Sequence, residues 1–214
     1  MRVAAPAIAL MLAASMAAAQ QSVPFDGSWE EQGFLRLSSN DYAQEGNALG
    51  IRSDGTVSIL YRRLPQTSGD VQGASWSWSV SRGVAATDLT RKGGDDRNIA
   101  IYFVFADPGT AAGLRGQPLR RLLSTSGVRV LTYVWGGSAG RGAILPNPYL
   151  EGRGTTIVLR GAGTGRHAER VDLASDLAAI FDMRDAELLG VAVSADSDDT
   201  DGEIDASVSD LVLR

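Results

Sequence analysis

From residue 34 to residue 213 the chain is a series of short apolar runs cut apart by glycines, and many runs alternate apolar with polar residues. Ala74–Val80 is the plainest case. Trp76, Trp78 and Val80 fall on one side of an extended chain, and Ser75, Ser77 and Ser79 fall on the other. A side-chain period of two belongs to a strand with one buried and one wet face, the pattern of antiparallel sheets. Further runs are Phe34–Leu37, Ala48–Arg52, Thr56–Tyr61, Asn98–Ala106, Val128–Trp135, Thr155–Arg160, Leu188–Ala195 and Ala206–Leu213. In Asn98–Ala106 both sides are apolar, Ile101, Phe103 and Phe105 opposing Tyr102 and Val104, which predicts a central strand. The 25 glycines among 214 residues exceed the usual share of about 7% and serve as punctuation, with no repeat. Ser53-Asp54-Gly55 reads as a hairpin turn. Leu114–Ser124 reads as a helix with Leu114, Leu119, Leu122 and Leu123 on one stripe, and Leu173–Phe181 as another with Asp172 as its N-cap. The expected fold is mainly β: an antiparallel β-sandwich, jelly-roll-like, with two short helices and a single domain over residues 20–214.

Residues 1–19 read differently. Arg2 precedes an almost wholly apolar stretch, and Ala17-Ala18-Ala19 offers small residues before Gln20. This is the layout of a cleaved secretory signal peptide, which predicts a periplasmic protein with no membrane span after cleavage. The chain has no cysteine, so disulfides, thiol nucleophiles and Cys-ligated metals are excluded, and an exported domain of this kind must rely on core burial. A net charge of −5 argues against nucleic acid as a partner. One histidine, His167, lies in a charged stretch, which leaves little for a Ser–His–Asp triad and nothing for a multi-His metal site. Nucleophile-elbow, zincin, Walker and dinucleotide motifs are missing.

Four features can carry chemistry. Trp76 and Trp78 share a strand face that either fills a core or stacks on sugar rings. Asp95, Asp96 and Arg97 follow two glycines at the mouth of an apolar strand, where they either form a solvated turn or bind hydroxyls or a cation. Tyr133 and Trp135 end a strand that runs into the long loop Gly136–Pro148, a candidate cleft wall with Leu145-Pro146-Asn147-Pro148-Tyr149 behind it. In the acidic segment Asp196–Asp205, Asp196, Asp198 and Asp199 offer hard oxygen ligands that suit a structural Ca²⁺, although the EF-hand frame is absent; a solvated acidic turn is the other reading.

Taken in order, Trp76-Ser77-Trp78-Ser79-Val80, Lys92-Gly93-Gly94-Asp95-Asp96, Ile101–Phe105, Leu131–Trp135, Leu145–Tyr149 and Gly190–Val193 with Asp196–Thr200 resemble a family of exported bacterial proteins of unknown function. The resemblance runs from about Trp29 to Leu213 and implies a periplasmic location and a sandwich similar to carbohydrate-binding jelly rolls. One run departs from the family pattern: Arg166–Asp172 keeps Glu169-Arg170 but lacks the Trp and Asn expected there. The expectation is a non-catalytic periplasmic module that binds a glycan or another polar cell-envelope ligand. Its candidate contacts are Trp76, Trp78, Asp95, Asp96, Arg97, Tyr133 and Trp135. The alternative is a carboxylate-dependent hydrolase of envelope saccharides, pairing Asp95 or Asp96 with Asp196 or Asp198 across a cleft.

Overall fold

The computed structural model describes residues 20–35, 37–65 and 71–214, so the predicted signal peptide over residues 1–19 lies outside the described residues. Among the described residues no helix is long and apolar enough to cross a membrane. The strands are β1 (Gln21–Ser22), β2 (Glu30–Gly33), β3 (Asp41–Glu45), β4 (Ala48–Asp54), β5 (Val57–Arg63), β6 (Gly73–Arg82), β7 (Arg97–Ala106), β8 (Val128–Trp135), β9 (Ile144–Pro146), β10 (Gly154–Arg160), β11 (Gly165–Asp172), β12 (Glu187–Asp196) and β13 (Glu203–Leu213). The helices are α1 (Pro108–Leu114), α2 (Leu119–Leu123) and α3 (Leu173–Phe181). One sheet has the order β11-β6-β13-β4-β3, with β1 also on β13; the other runs β2-β5-β12-β7-β8-β10-β9. Every pairing is antiparallel except β8 with β10. The β-sandwich expected from the alternation is the observed fold, and β7 is the central strand of the larger sheet.

Alternation decides what lies between the sheets. Trp76, Trp78 and Val80 of β6 point inward against Ile101, Phe103 and Phe105 of β7 and Tyr133 and Trp135 of β8. The rings interlock: Trp78 lies 5.7 Å from Trp135, and Trp76 lies 6.0 Å from Tyr133. Helix α3 starts where the Asp172 carboxylate accepts the Ser175 N–H, and it buries Leu173 and Leu177 at one end of this core.

A second apolar layer covers part of the outer face of the seven-stranded sheet. Tyr102 and Val104 of β7 and Val130 and Val134 of β8 meet Ala111 and Leu114 of α1, Leu119 and Leu122 of α2, and Leu89 and Leu150 from loops. This cover explains why β7 reads as apolar on both sides.

Several local expectations are corrected. The predicted helix over Leu114–Ser124 is two helices, because Gly116 takes a positive φ of 73° and Pro118 cannot continue the first. Ser53-Asp54-Gly55 joins strands of different sheets and is a corner, not a hairpin; Ser53 Oγ bridges to Ser197 Oγ at 2.7 Å across it. In Phe34–Leu37 the described residues form no strand, and β2 ends just before them. The polar run at β11 is an edge strand paired with β6; its pattern is hidden because the inward positions are His167, Glu169 and Val171, with Glu169 buried and paired to Arg160 and Arg141.

Candidate functional site

Where the apolar cover on the outer face ends, a cleft of about 360 Å³ opens over β5, β12, β7 and β8. Val57, Val104, Leu119 and Val130 line its walls, and Phe34 and Tyr149 stand at its rim. Phe34 is 42% exposed and Tyr149 is 53% exposed, with the Lys92 ammonium 5.6 Å from the Tyr149 ring centroid. Asp95, Arg97, Asp196, Asp198 and Asp199 close one end.

The β7–β12 pairing builds that end by placing Arg97 opposite Asp196. Arg97 shares the outer face with Tyr102 despite their odd spacing, and the ladder shifts register between Ser194 and Asp196. The guanidinium is nearly buried. Its Nη1 donates to Asp95 Oδ2 at 3.0 Å and to Asp196 Oδ2 at 2.9 Å, and its Nη2 donates to the Tyr102 hydroxyl at 2.8 Å. Tyr102 in turn shares a hydrogen bond of 2.9 Å with Ser194 Oγ. The Tyr149 hydroxyl donates to Asp95 Oδ1 at 2.7 Å, tying the 147–150 wall to the acidic end. One nitrogen contacting both carboxylates keeps Asp95 and Asp196 within roughly 6 Å, near the separation used by retaining glycosidases.

Burial pushes the Asp196 carboxyl up to about 9; Arg97 pulls the other way, and Asp198 and Asp96 add to the rise. Burial also raises Asp199, with help from the neighbouring carboxylates. The Tyr149 hydroxyl is raised by burial and by the Asp95 carboxylate that accepts its proton.

Two buried polar atoms on cleft-lining residues have no hydrogen-bond partner: Thr132 Oγ1 and Asp196 Oδ1. Leaving such an atom unmet costs about 1–3 kcal/mol.

Of the residues singled out in the sequence, Asp95 and Arg97 lie in the cleft together with Asp196, Asp198 and Asp199. Asp96 lies behind the lining, with a carboxylate oxygen within 4.8 Å of those of Asp198 and Asp199. It is fully buried, and it accepts hydrogen bonds from Thr200 N at 2.8 Å, Thr200 Oγ1 at 2.5 Å and Asp199 N at 3.3 Å. Trp76, Trp78, Tyr133 and Trp135 are corrected outright as ligand contacts. All four are at most 2% exposed between the sheets, because the inward face of β6 and β8 is the core face, and they offer no surface to a sugar. The Gly136–Pro148 loop contributes its far end, Asn147 and Pro148, to the cleft wall. His167 sits on β11 in the other sheet, 5.0 Å from the Trp135 ring, and takes no part.

Sequence reasoning missed Tyr102, Thr132 and Phe34. The first two occupy outward positions on strands whose outward face looked like core. Phe34 was assigned to a strand that does not form.

No curated protein matches the chain. Several solved structures resemble it in outline. A xyloglucanase domain of the type three effector NopAA from Sinorhizobium fredii, in complex with cellobiose, shares 10% identity at a TM-score of 0.47, over 87% of this chain and 92% of that one. A cellulase derived from Cel12A of Rhodothermus marinus shares 15% identity at a TM-score of 0.46, over 92% and 99%. A loop-swap mutant of Xyn11A from Necallimastix patriciarum shares 12% identity at 0.38, over 90% and 92%. Likenesses this faint say nothing about the ligand of this chain. The sequence itself is placed more firmly: a family model described as a protein of unknown function, DUF3047, matches residues 27–212, and the chain belongs to that family.

Proposed function

We propose that the protein is an exported, non-catalytic binding module whose outer-face cleft takes a saccharide or a similarly hydroxylated cell-envelope ligand. The observation that carries this reading is the pair of buried, unpartnered polar atoms on the cleft lining, Thr132 Oγ1 and Asp196 Oδ1. Apolar walls with a few convergent polar groups are the usual make-up of a small-molecule site. A sugar has that same division, with C–H faces for the Val and Leu walls and hydroxyl edges for Thr132, Asp95 and Asp196. Phe34, exposed at the rim, supplies an aromatic surface that the buried indoles cannot. Export rests on the signal-peptide pattern of residues 1–19.

Calorimetry with cello- and xylo-oligosaccharides and with muropeptides tests the reading. Binding by one class, weakened about tenfold in Thr132→Val, is the expected result, a tenfold loss being the worth of one hydrogen bond. Absence of binding by every class at millimolar concentration, or unaltered binding in the variant, removes it. N-terminal sequencing of the periplasmic fraction checks export, with a mature start near Gln20 expected.

The separation of Asp95 and Asp196 favours a second reading, a retaining glycosidase. It requires reducing ends to appear on incubation with the bound oligosaccharide and to disappear in Asp95→Asn.

A further inference from the structure

We infer that the acidic end of the cleft is a divalent-cation site, suited to Ca²⁺, formed by Asp96, Asp198 and Asp199 beside the unpartnered carboxylate oxygen of Asp196. The carboxylate oxygens of Asp96, Asp198 and Asp199 lie within 4.8 Å of one another, about twice a Ca–O bond, so one ion can touch all three. Clustered acids alone would be an ordinary solvated turn. Asp196 makes the difference. Its residue is only 7% exposed and one oxygen is held by Arg97, yet Oδ1 is buried with no partner. Asp196 lines the same end of the cleft as Asp198 and Asp199, and an unmet carboxylate oxygen beside them favours a cation.

Charge counting agrees. Asp95, Asp96, Asp196, Asp198 and Asp199 crowd this end, and Arg97 bridges the first and third. Among the described residues no Lys or Arg forms an ion pair with Asp96, Asp198 or Asp199. Asp95, Asp96 and Asp196 are buried, while Asp198 is half-buried and Asp199 exposed. The donor set is entirely carboxylate oxygen, which selects hard cations over zinc or copper, and an irregular loop suits Ca²⁺ better than the strict octahedron of Mg²⁺. Asp96 is already oriented by Thr200 and the Asp199 N–H, as a first ligand needs to be. The site joins the loop before β7 to the β12–β13 turn. It shares the unmet Asp196 oxygen with the glycan reading, but its test needs no organic ligand.

The test uses the whole mature chain, stripped with EDTA and dialysed against CaCl₂. Elemental analysis should find one Ca²⁺ per chain, Tb³⁺ should luminesce when the aromatic residues are excited and lose that signal to Ca²⁺, and the melting temperature should rise with Ca²⁺ concentration. Asp198→Asn should weaken binding at least tenfold. Asp199→Asn, at an exposed position, should weaken it too and keeps the test open if the first variant fails to fold. A chain that binds no Ca²⁺ at millimolar concentration, a melting temperature blind to Ca²⁺, or undiminished binding in both variants overturns the site.

Discussion

The two faces of the seven-stranded sheet are made by the same strands and have opposite characters. Inward, β7 and β8 present Ile99, Ile101, Phe103, Phe105, Leu131, Tyr133 and Trp135 to the other sheet, all at most 2% exposed. Outward, the intervening residues include Tyr102, Val104, Val130 and Thr132, only partly roofed by α1 and α2, and the gap in the roof is the cleft. Both faces are equally apolar by composition along β7. What separates them is the element opposite: a complete sheet on one side and two short helices with loops on the other. An apolar strand face thus becomes core or binding wall according to how fully it is covered.

The largest expected break of this contrast is on the inner face. Trp78→Ala empties a space between the sheets and should cost about 3–5 kcal/mol, read as a lower urea midpoint. Ligand binding by the fraction that remains folded should be unaltered, and a loss below about 1 kcal/mol would mean that the indole is not a core residue.

Next comes the outer face. Arg97→Met leaves Asp95 and Asp196 buried without their shared cation and should cost roughly 3 kcal/mol. Unlike the Trp78 variant it should also abolish ligand binding, and Arg97→Lys should restore little, because an ammonium lacks the fork that reaches both carboxylates and Tyr102.

Thr132→Val sharpens the contrast because stability and binding should move in opposite directions. It removes an unpartnered buried hydroxyl at almost constant shape, so stability should rise by about 1 kcal/mol while affinity falls. A variant less stable than the parent would show that the hydroxyl is already satisfied.

The smallest effect lies where the inner face meets α3. The Tyr133 hydroxyl donates to Asp176 Oδ2 at 2.5 Å, and burial raises the Asp176 carboxyl above its ordinary value more than this hydrogen bond lowers it. A carboxyl raised on folding takes up a proton. Its contribution is therefore full below the ordinary Asp range near 3.8 and is lost as pH rises through the raised value. Urea midpoints measured across that window should fall slightly with pH, and Asp176→Asn should flatten the slope.

Much of the fold is legible in the residues. The Trp–Ser alternation of β6, the doubly apolar β7 and the capped α3 were each read with the right character, since each depends on side-chain period or a local hydrogen bond. Strand β11 was not, because its inward side alternates as His167, Glu169 and Val171, and the buried Glu169 is made tolerable by Arg160 from another strand. The corner at Ser53-Asp54-Gly55 was misjudged because the turn residues that return a strand to its neighbour also let it cross to another sheet.

The site was legible by parts. Asp95, Arg97 and the Asp196–Asp199 segment were identified, yet nothing along the chain indicated that residues a hundred positions apart would share a guanidinium. The aromatic candidates failed for a related reason, since a period of two tells which residues share a side but not whether that side is core or cleft.

The sequence by itself determined most of the long strands, the two-layer arrangement and the supply of acidic residues, because side-chain period and turn chemistry act over a few neighbours. The tertiary structure alone decided that the indoles are enclosed, that Arg97 clamps Asp95 to Asp196, and that Tyr149 and Thr132 face the same cleft. Those outcomes depend on strand order and register, which are set by the packing of the whole sandwich.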